Sequence, residues 1–197
     1  MSFITAIVES EATGATADMY ASEHERVGYL PRYAQAFGAR PAVYQAWRQL
    51  IAAVTSSMPP RRFELVTLAA ARELRSTYCS VAHGAILADK FLAADDVTQL
   101  AQGGFPDALD DSERAVVAFA AKAARCAADI SAEDVEHVRS HGLDDAEILD
   151  IVLATAARCF FSTVLEATGT QADAVYSGRL EPVMRAALTV GRPIADR

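Results

Sequence analysis

Cysteine is scarce in this 197-residue chain: there are three, an odd number and too few to staple a secreted scaffold. A cytoplasmic protein with reduced thiols is the expectation. Proline is scarce as well, at seven residues. Alternating β-branched runs are nearly missing, which argues against sandwiches and barrels. No long basic run occurs, and the formal net charge is −8. An acidic surface repels phosphate backbones, so nucleic acid is not expected as a partner. The N-terminal MSFITAIVESEATG has a short apolar patch with no positive region before it, unlike a secretory leader. No apolar run reads as long enough to cross a bilayer, so no membrane partner is expected either.

What is present is apolar, alanine-rich and helical in period. Hydrophobic residues make up 52% and charged residues 22%, as in an ordinary globular protein. Breakers at GYLP, FGARP, SMPP, QGGFPD, SHGLDD, ATGT and VGRP divide the chain. Between them the periodicity predicts helices near 12–26, 31–38, 41–56, 60–74, 77–90, 94–102, 111–128, 132–141, 145–168 and 180–189. The expectation is an all-α bundle of eight to ten helices in one domain over 1–197. Asp111 and Ser131, with acids just after them, read as helix starts, and Gly142 and Gly169 as helix ends. Segment 145–168 is apolar nearly all round and is expected to be buried centrally. AADDVTQLAQGGF and SAEDVEHVRSHGL share a pattern at an offset of 38, each before a long helix containing Ala-Ala-Arg-Cys. This reads either as a duplicated helical hairpin or as two similar amphipathic helices.

STYCSVAHG carries the densest chemistry. Ser76 or Thr77 would cap a helix that places Cys79 in its first turn, against unpaired N–H groups. His83, four residues on, lies on the same face one turn later. An activated thiol with a proton partner would be built this way. A small buried cysteine near a histidine would look the same.

ELVTLAAARELRSTYCSVAHG resembles the core motif of the alkylhydroperoxidase D and carboxymuconolactone decarboxylase superfamily. That motif has a glutamate on one helix, a C-x-x-C pair opening the next, and a histidine four residues after the second cysteine. Glu64, Cys79 and His83 stand at those places. Flanking segments over residues 40 to 170 are also similar, in the manner of the longer, peroxidase-related branch. Two positions depart from the pattern. Ser76 replaces the first cysteine, and Tyr78 stands where the best-characterised members carry histidine. Serine cannot form a disulfide, so the internal resolving step is lost at this position.

The resemblance implies an enzyme that reduces peroxides through Cys79, with Glu64 and His83 as a proton relay and an external thiol as reductant. No metal or flavin cofactor is implied, and homo-oligomers (dimer, trimer or hexamer) are. Two other readings stay open. One is a decarboxylase-like acid/base enzyme that uses His83 and Glu64 on a small carboxylated substrate. The other is a non-catalytic oligomeric binding protein of the same fold. From the residues alone, Glu64 would be a first-turn acid that pairs with Arg61. Ser76 would cap the helix or donate to the Cys79 sulfur. Tyr78 would pack, or donate to a substrate oxygen. Cys126 and Cys159 read as core residues, either of which could serve as a distant resolving thiol. His137 and His141 have metal-binding spacing on a charged, solvated face. Phe160 and Phe161 read as core, interface or pocket residues.

Overall fold

The computed structural model describes residues 2–196. Among these there are eleven α-helices and no strand, which makes the protein all-α. In chain order they are α1 (Gly14–Val27), α2 (Arg32–Ala36), α3 (Pro41–Thr55), α4 (Pro60–Glu73), α5 (Thr77–Lys90), α6 (Ala94–Ala101), α7 (Asp111–Arg125), α8 (Ala132–Ser140), α9 (Asp145–Thr168), α10 (Val175–Arg179) and α11 (Pro182–Leu188). One helix more than expected appears because α10 forms ahead of the segment read as 180–189, which itself becomes α11. Leu180 is extended just before Glu181 and Pro182, so α10 ends there and Pro182 opens α11.

The starts of α7, α8 and α9 are chemically explicit. Asp110 with Glu113, Ser131 with Asp134, and Asp144 with Glu147 each form a reciprocal capping box. The first of these places the cap at Asp110, one residue before the predicted Asp111. Gly142 and Gly169 take left-handed backbone past the ends of α8 and α9. The two sequence-similar segments become short helices α6 and α8, each leading into a long helix, α7 and α9. These two long helices pack against each other.

The central helix is α4 rather than α9. Every residue from Phe63 to Ala71 is buried, because α5, α7 and α9 all pack on it. Its alanines let those helices approach closely. Helix α9 is buried on one face only. Leu149, Val152, Leu153 and Phe160 form an exposed stripe on the other. The α3 segment is also mostly open, with Val43 and Leu50 exposed. Contrary to the sequence reading, α9 does have the length and apolarity of a membrane span, yet half of its apolar window is buried within the protein.

The C-terminal segment closes over the start of α5. The Gly191 amide donates to Thr77 Oγ1 at 2.8 Å, and Leu188 packs on Gly84. A Cβ on Gly191 would overlap the Arg75 carbonyl oxygen, which cannot swing away as a side-chain tip can. Gly191→Ala should therefore cost about 1–3 kcal/mol, at about 2–4 °C of Tm per kcal/mol in a chain of this size. Differential scanning calorimetry measures this directly.

Candidate active site

Three helices bring the reactive groups together. The central helix α4 carries Glu64, which is 9% exposed. Glu64 does not pair with Arg61. That guanidinium forks onto Glu113 at 2.5 and 2.9 Å and ties α4 to α7. Glu64 instead meets His83 of α5, with Oε2 at 2.5 Å from Nδ1. An Nδ1–H donated to the carboxylate leaves Nε2 as the basic nitrogen. Both His83 and Cys79 line one cavity of about 310 Å³.

Burial lowers the His83 pKa, and the charge of Arg158 adds to the effect, while Glu64 opposes it. The imidazole is thus kept neutral, in the form that can accept a proton. This couples to stability. Below the ordinary histidine value of about 6.5, the unfolded chain binds a proton that the folded chain resists. The contribution is complete above that value and is lost as pH falls toward the lowered folded pKa. Urea denaturation between about pH 8 and pH 5 should show stability declining with acid by at most about 1.4 kcal/mol per pH unit from this group. His83→Gln should flatten that slope.

Cys79 is the third residue of α5 and is 2% exposed. The first helical bond runs from the Ser80 amide to the Ser76 carbonyl, which leaves the amides of the first turn without helical partners. The sulfur accepts from Ser162 Oγ at 3.3 Å and from Arg158 Nη1 at 3.4 Å, both on α9. Its donors therefore come from a helix that the motif does not include. His83 reaches the same cavity but forms no hydrogen bond to the sulfur among the described residues.

Arg158 is 4% exposed and has no carboxylate within ion-pair distance among the described residues. Its Nε is sealed without a hydrogen-bond partner, and its guanidinium lies 5.6 Å from the centre of the Phe161 ring. Burying a charge without a partner costs several kcal/mol. An anion bound in the cavity would offset that cost.

The two departures from the motif have distinct surroundings. Ser76 occupies the N-cap position of α5, but its side chain does not cap the helix. Its Oγ is buried without a hydrogen bond of good geometry, although the Glu166 carboxyl lies close by. The expected capping role is thus corrected, and Thr77 is engaged by Gly191 instead. Neither does Ser76 donate to the sulfur. Tyr78 is buried, lines the cavity and donates its hydroxyl to Asp173 Oδ2. Asp173 also accepts from Tyr29 Oη and from the Arg32 amide. Tyr78 is thereby a clasp between α5 and the segment after α9.

Other candidates lie elsewhere. Cys126 is exposed at the end of α7 and is not core, while Cys159 is half-buried. Neither lines the Cys79 cavity. The His137 and His141 rings meet edge to face with centres 4.8 Å apart, and no metal-binding cluster occurs among the described residues. Phe161 is buried and stacks on Trp47, with centres 4.2 Å apart. Phe160 is exposed. Sequence reasoning missed Arg158, Ser162 and the aromatic walls given by Tyr29, Tyr33 and Tyr176. One signal was available: Arg158 is the only charged residue between Asp150 and Glu166. Such an isolated charge on an apolar helix needs a reason.

No protein-family model and no curated protein matches the sequence. Solved structures match it by fold. An uncharacterised peroxidase-related protein from Ralstonia eutropha JMP134, described as an alkylhydroperoxidase AhpD core, is 22% identical with a TM-score of 0.74. The match covers 89% of this chain and 94% of that one. A peroxidase-related protein from Silicibacter sp. TM1040 is 23% identical, with a TM-score of 0.71 over 88% and 94% of the two chains. The debrominase Bmp8 is 18% identical, with a TM-score of 0.71 over 94% and 95%. A cysteine-to-alanine variant of Bmp8 is known in complex with 2,3,4-tribromopyrrole. The chain thus has the alkylhydroperoxidase-core fold that the sequence resemblance implies.

Proposed function

We propose that this protein is a thiol-dependent peroxidase-type oxidoreductase whose nucleophile is Cys79. One observation carries the reading: the sulfur sits at a cavity wall under two donors, beside a neutral histidine oriented by a buried glutamate. The Cys79 proton passes to His83 Nε2, directly or through water, and Glu64 holds the imidazolium. The thiolate attacks one peroxide oxygen. The O–O bond breaks, Cys79 becomes a sulfenic acid, and the departing alkoxide takes the proton from His83. With serine at position 76, the sulfenic acid is resolved by an external thiol, which releases water and leaves a mixed disulfide. A second external thiol then restores Cys79 and leaves as a disulfide.

The test is direct. After one equivalent of an organic hydroperoxide, dimedone labelling and peptide mass spectrometry should find sulfenic acid on Cys79. If Cys79 stays unlabelled while exposed Cys126 reacts, the reading fails.

A second reading is favoured by the aromatic lining of the cavity and by the likeness to a debrominase. In it, the same sulfur removes a halogen from an aromatic ring, with external thiols again supplying the electrons. Halide release from 2,3,4-tribromopyrrole without peroxide turnover would select it.

A further inference from the structure

The cavity has a composition that the rest of the chain does not predict. The protein carries 26 acidic against 18 basic residues. Yet Arg26, Arg48, Arg158 and Arg179 line this cavity, and no aspartate or glutamate does. Five of the six tyrosines line it too, together with the only tryptophan, Phe63 and Phe161.

The arginines are not equivalent. Arg26 and Arg48 share Glu23 behind the wall, and Arg179 pairs with Asp89 at the rim. These are exposed charges that draw anions toward the opening. Arg158 lies inside, is unpaired by any carboxylate among the described residues, and has one nitrogen on the Cys79 sulfur. A buried guanidinium with donors to spare is a strong site for a carboxylate or another planar anion. Beside it, Trp47 and Phe161 are stacked 4.2 Å apart, and Tyr33 lies 5.7 Å from Phe161. Such faces attract a flat ring. A volume of about 310 Å³ is near the lower end for ligand pockets, about 300–1,000 Å³. It suits one or two rings rather than a long acyl chain.

We infer that the molecule processed at Cys79 is a small aromatic anion, with its ring on the aromatic wall and its anionic group on Arg158. This rests on the thiol reading above. For the peroxidase reaction it names the substrate class: a peroxide carried on a single aromatic ring that also bears a carboxylate.

Binding can be read without turnover, because Trp47 is the chain's sole tryptophan fluorophore. The probes are benzoate, its neutral isostere benzamide, and acetate, which lacks the ring. Benzoate should quench Trp47 saturably and slow alkylation of Cys79 by iodoacetamide. Benzamide and acetate should each bind about tenfold to a hundredfold more weakly. Arg158→Leu should bring benzoate down to the level of benzamide, and Arg158→Lys should recover part of the difference. Equal binding of benzoate and benzamide, or no benzoate binding, overturns the inference. So does an Arg158→Leu protein that binds benzoate like the wild type. If Arg158→Leu does not fold, the wild-type comparison of the two isosteres decides alone. Cys79→Ser should still bind benzoate. A loss of sulfenic acid with intact benzoate binding therefore counts against the thiol chemistry and leaves the ligand class standing.

Discussion

Cys79→Ser should lower peroxide-dependent oxidation of an external thiol on the order of 10³-fold or more, with little change in fold. Serine is slightly smaller than cysteine and still offers an acceptor to Ser162 and Arg158, so the buried network is largely preserved. What it lacks is a sulfur that can take up oxygen. Replacing His83 or Glu64 should cost about 10²–10⁴-fold, the usual range for a positioned proton carrier. The two act as a unit through the 2.5 Å contact. The double variant His83→Gln with Glu64→Gln should therefore be little worse than His83→Gln alone. Steady-state rates measured with cumene hydroperoxide and a dithiol decide the matter. Activity that survives in Cys79→Ser but disappears in His83→Gln would point instead to acid/base chemistry in which the sulfur is incidental.

The local part of this site was legible in the sequence, because helical geometry fixes it. Cys79 and His83 are one turn apart on a single helix, while Glu64, on the helix before, joins them through the family resemblance, since its own sequence neighbours point to Arg61. Any chain that folds these two segments as neighbouring helices can bring the three together. Arg158 and Ser162 are 79 and 83 residues from Cys79. They reach the sulfur only because α9 packs beside α4 and α5, and no local pattern encodes that packing. The aromatic wall was hidden for the same reason. Tyr29 comes from the bend between α1 and α2, Tyr33 from α2 and Tyr176 from the short α10, segments that read as mere extensions of the core.

The placement of α9 shows how a composition argument fails in a definable way. Its apolarity was read as central burial. But burial needs neighbours on every side, and α4 occupies that place with smaller residues. Alanines at positions 69 to 71 let α5 and α7 close around it. Helix α9 is left with one face on the core and Leu149, Val152 and Leu153 facing outward. The face that does turn inward carries Arg158 and Ser162, so the polar residues on this apolar helix mark the site rather than the surface.

Ser76→Cys should convert the reaction from an external to an internal resolving step. The hydroxyl it replaces is buried and makes no hydrogen bond of good geometry, so little stabilising contact is lost with it. The new thiol would stand three residues before Cys79, at the N-cap of the same helix, which recreates C-x-x-C. Oxidation of Cys79 to sulfenic acid would then be followed by attack of the new thiol on that sulfur, with release of water and formation of an intramolecular disulfide. The step becomes unimolecular. Well-oriented intramolecular groups reach effective molarities of about 10⁵ M or more, far beyond any dissolved thiol. After peroxide, intact mass spectrometry should show the loss of two hydrogens in Ser76→Cys, where the wild type gains one oxygen. Dimedone should label the wild type and not the variant. Repeated peroxide should drive the wild type on to sulfinic acid while the variant is protected. A variant that still accumulates dimedone-reactive Cys79 would mean that position 76 cannot reach the sulfur in this fold. Serine at position 76 would then have changed nothing in the redox cycle.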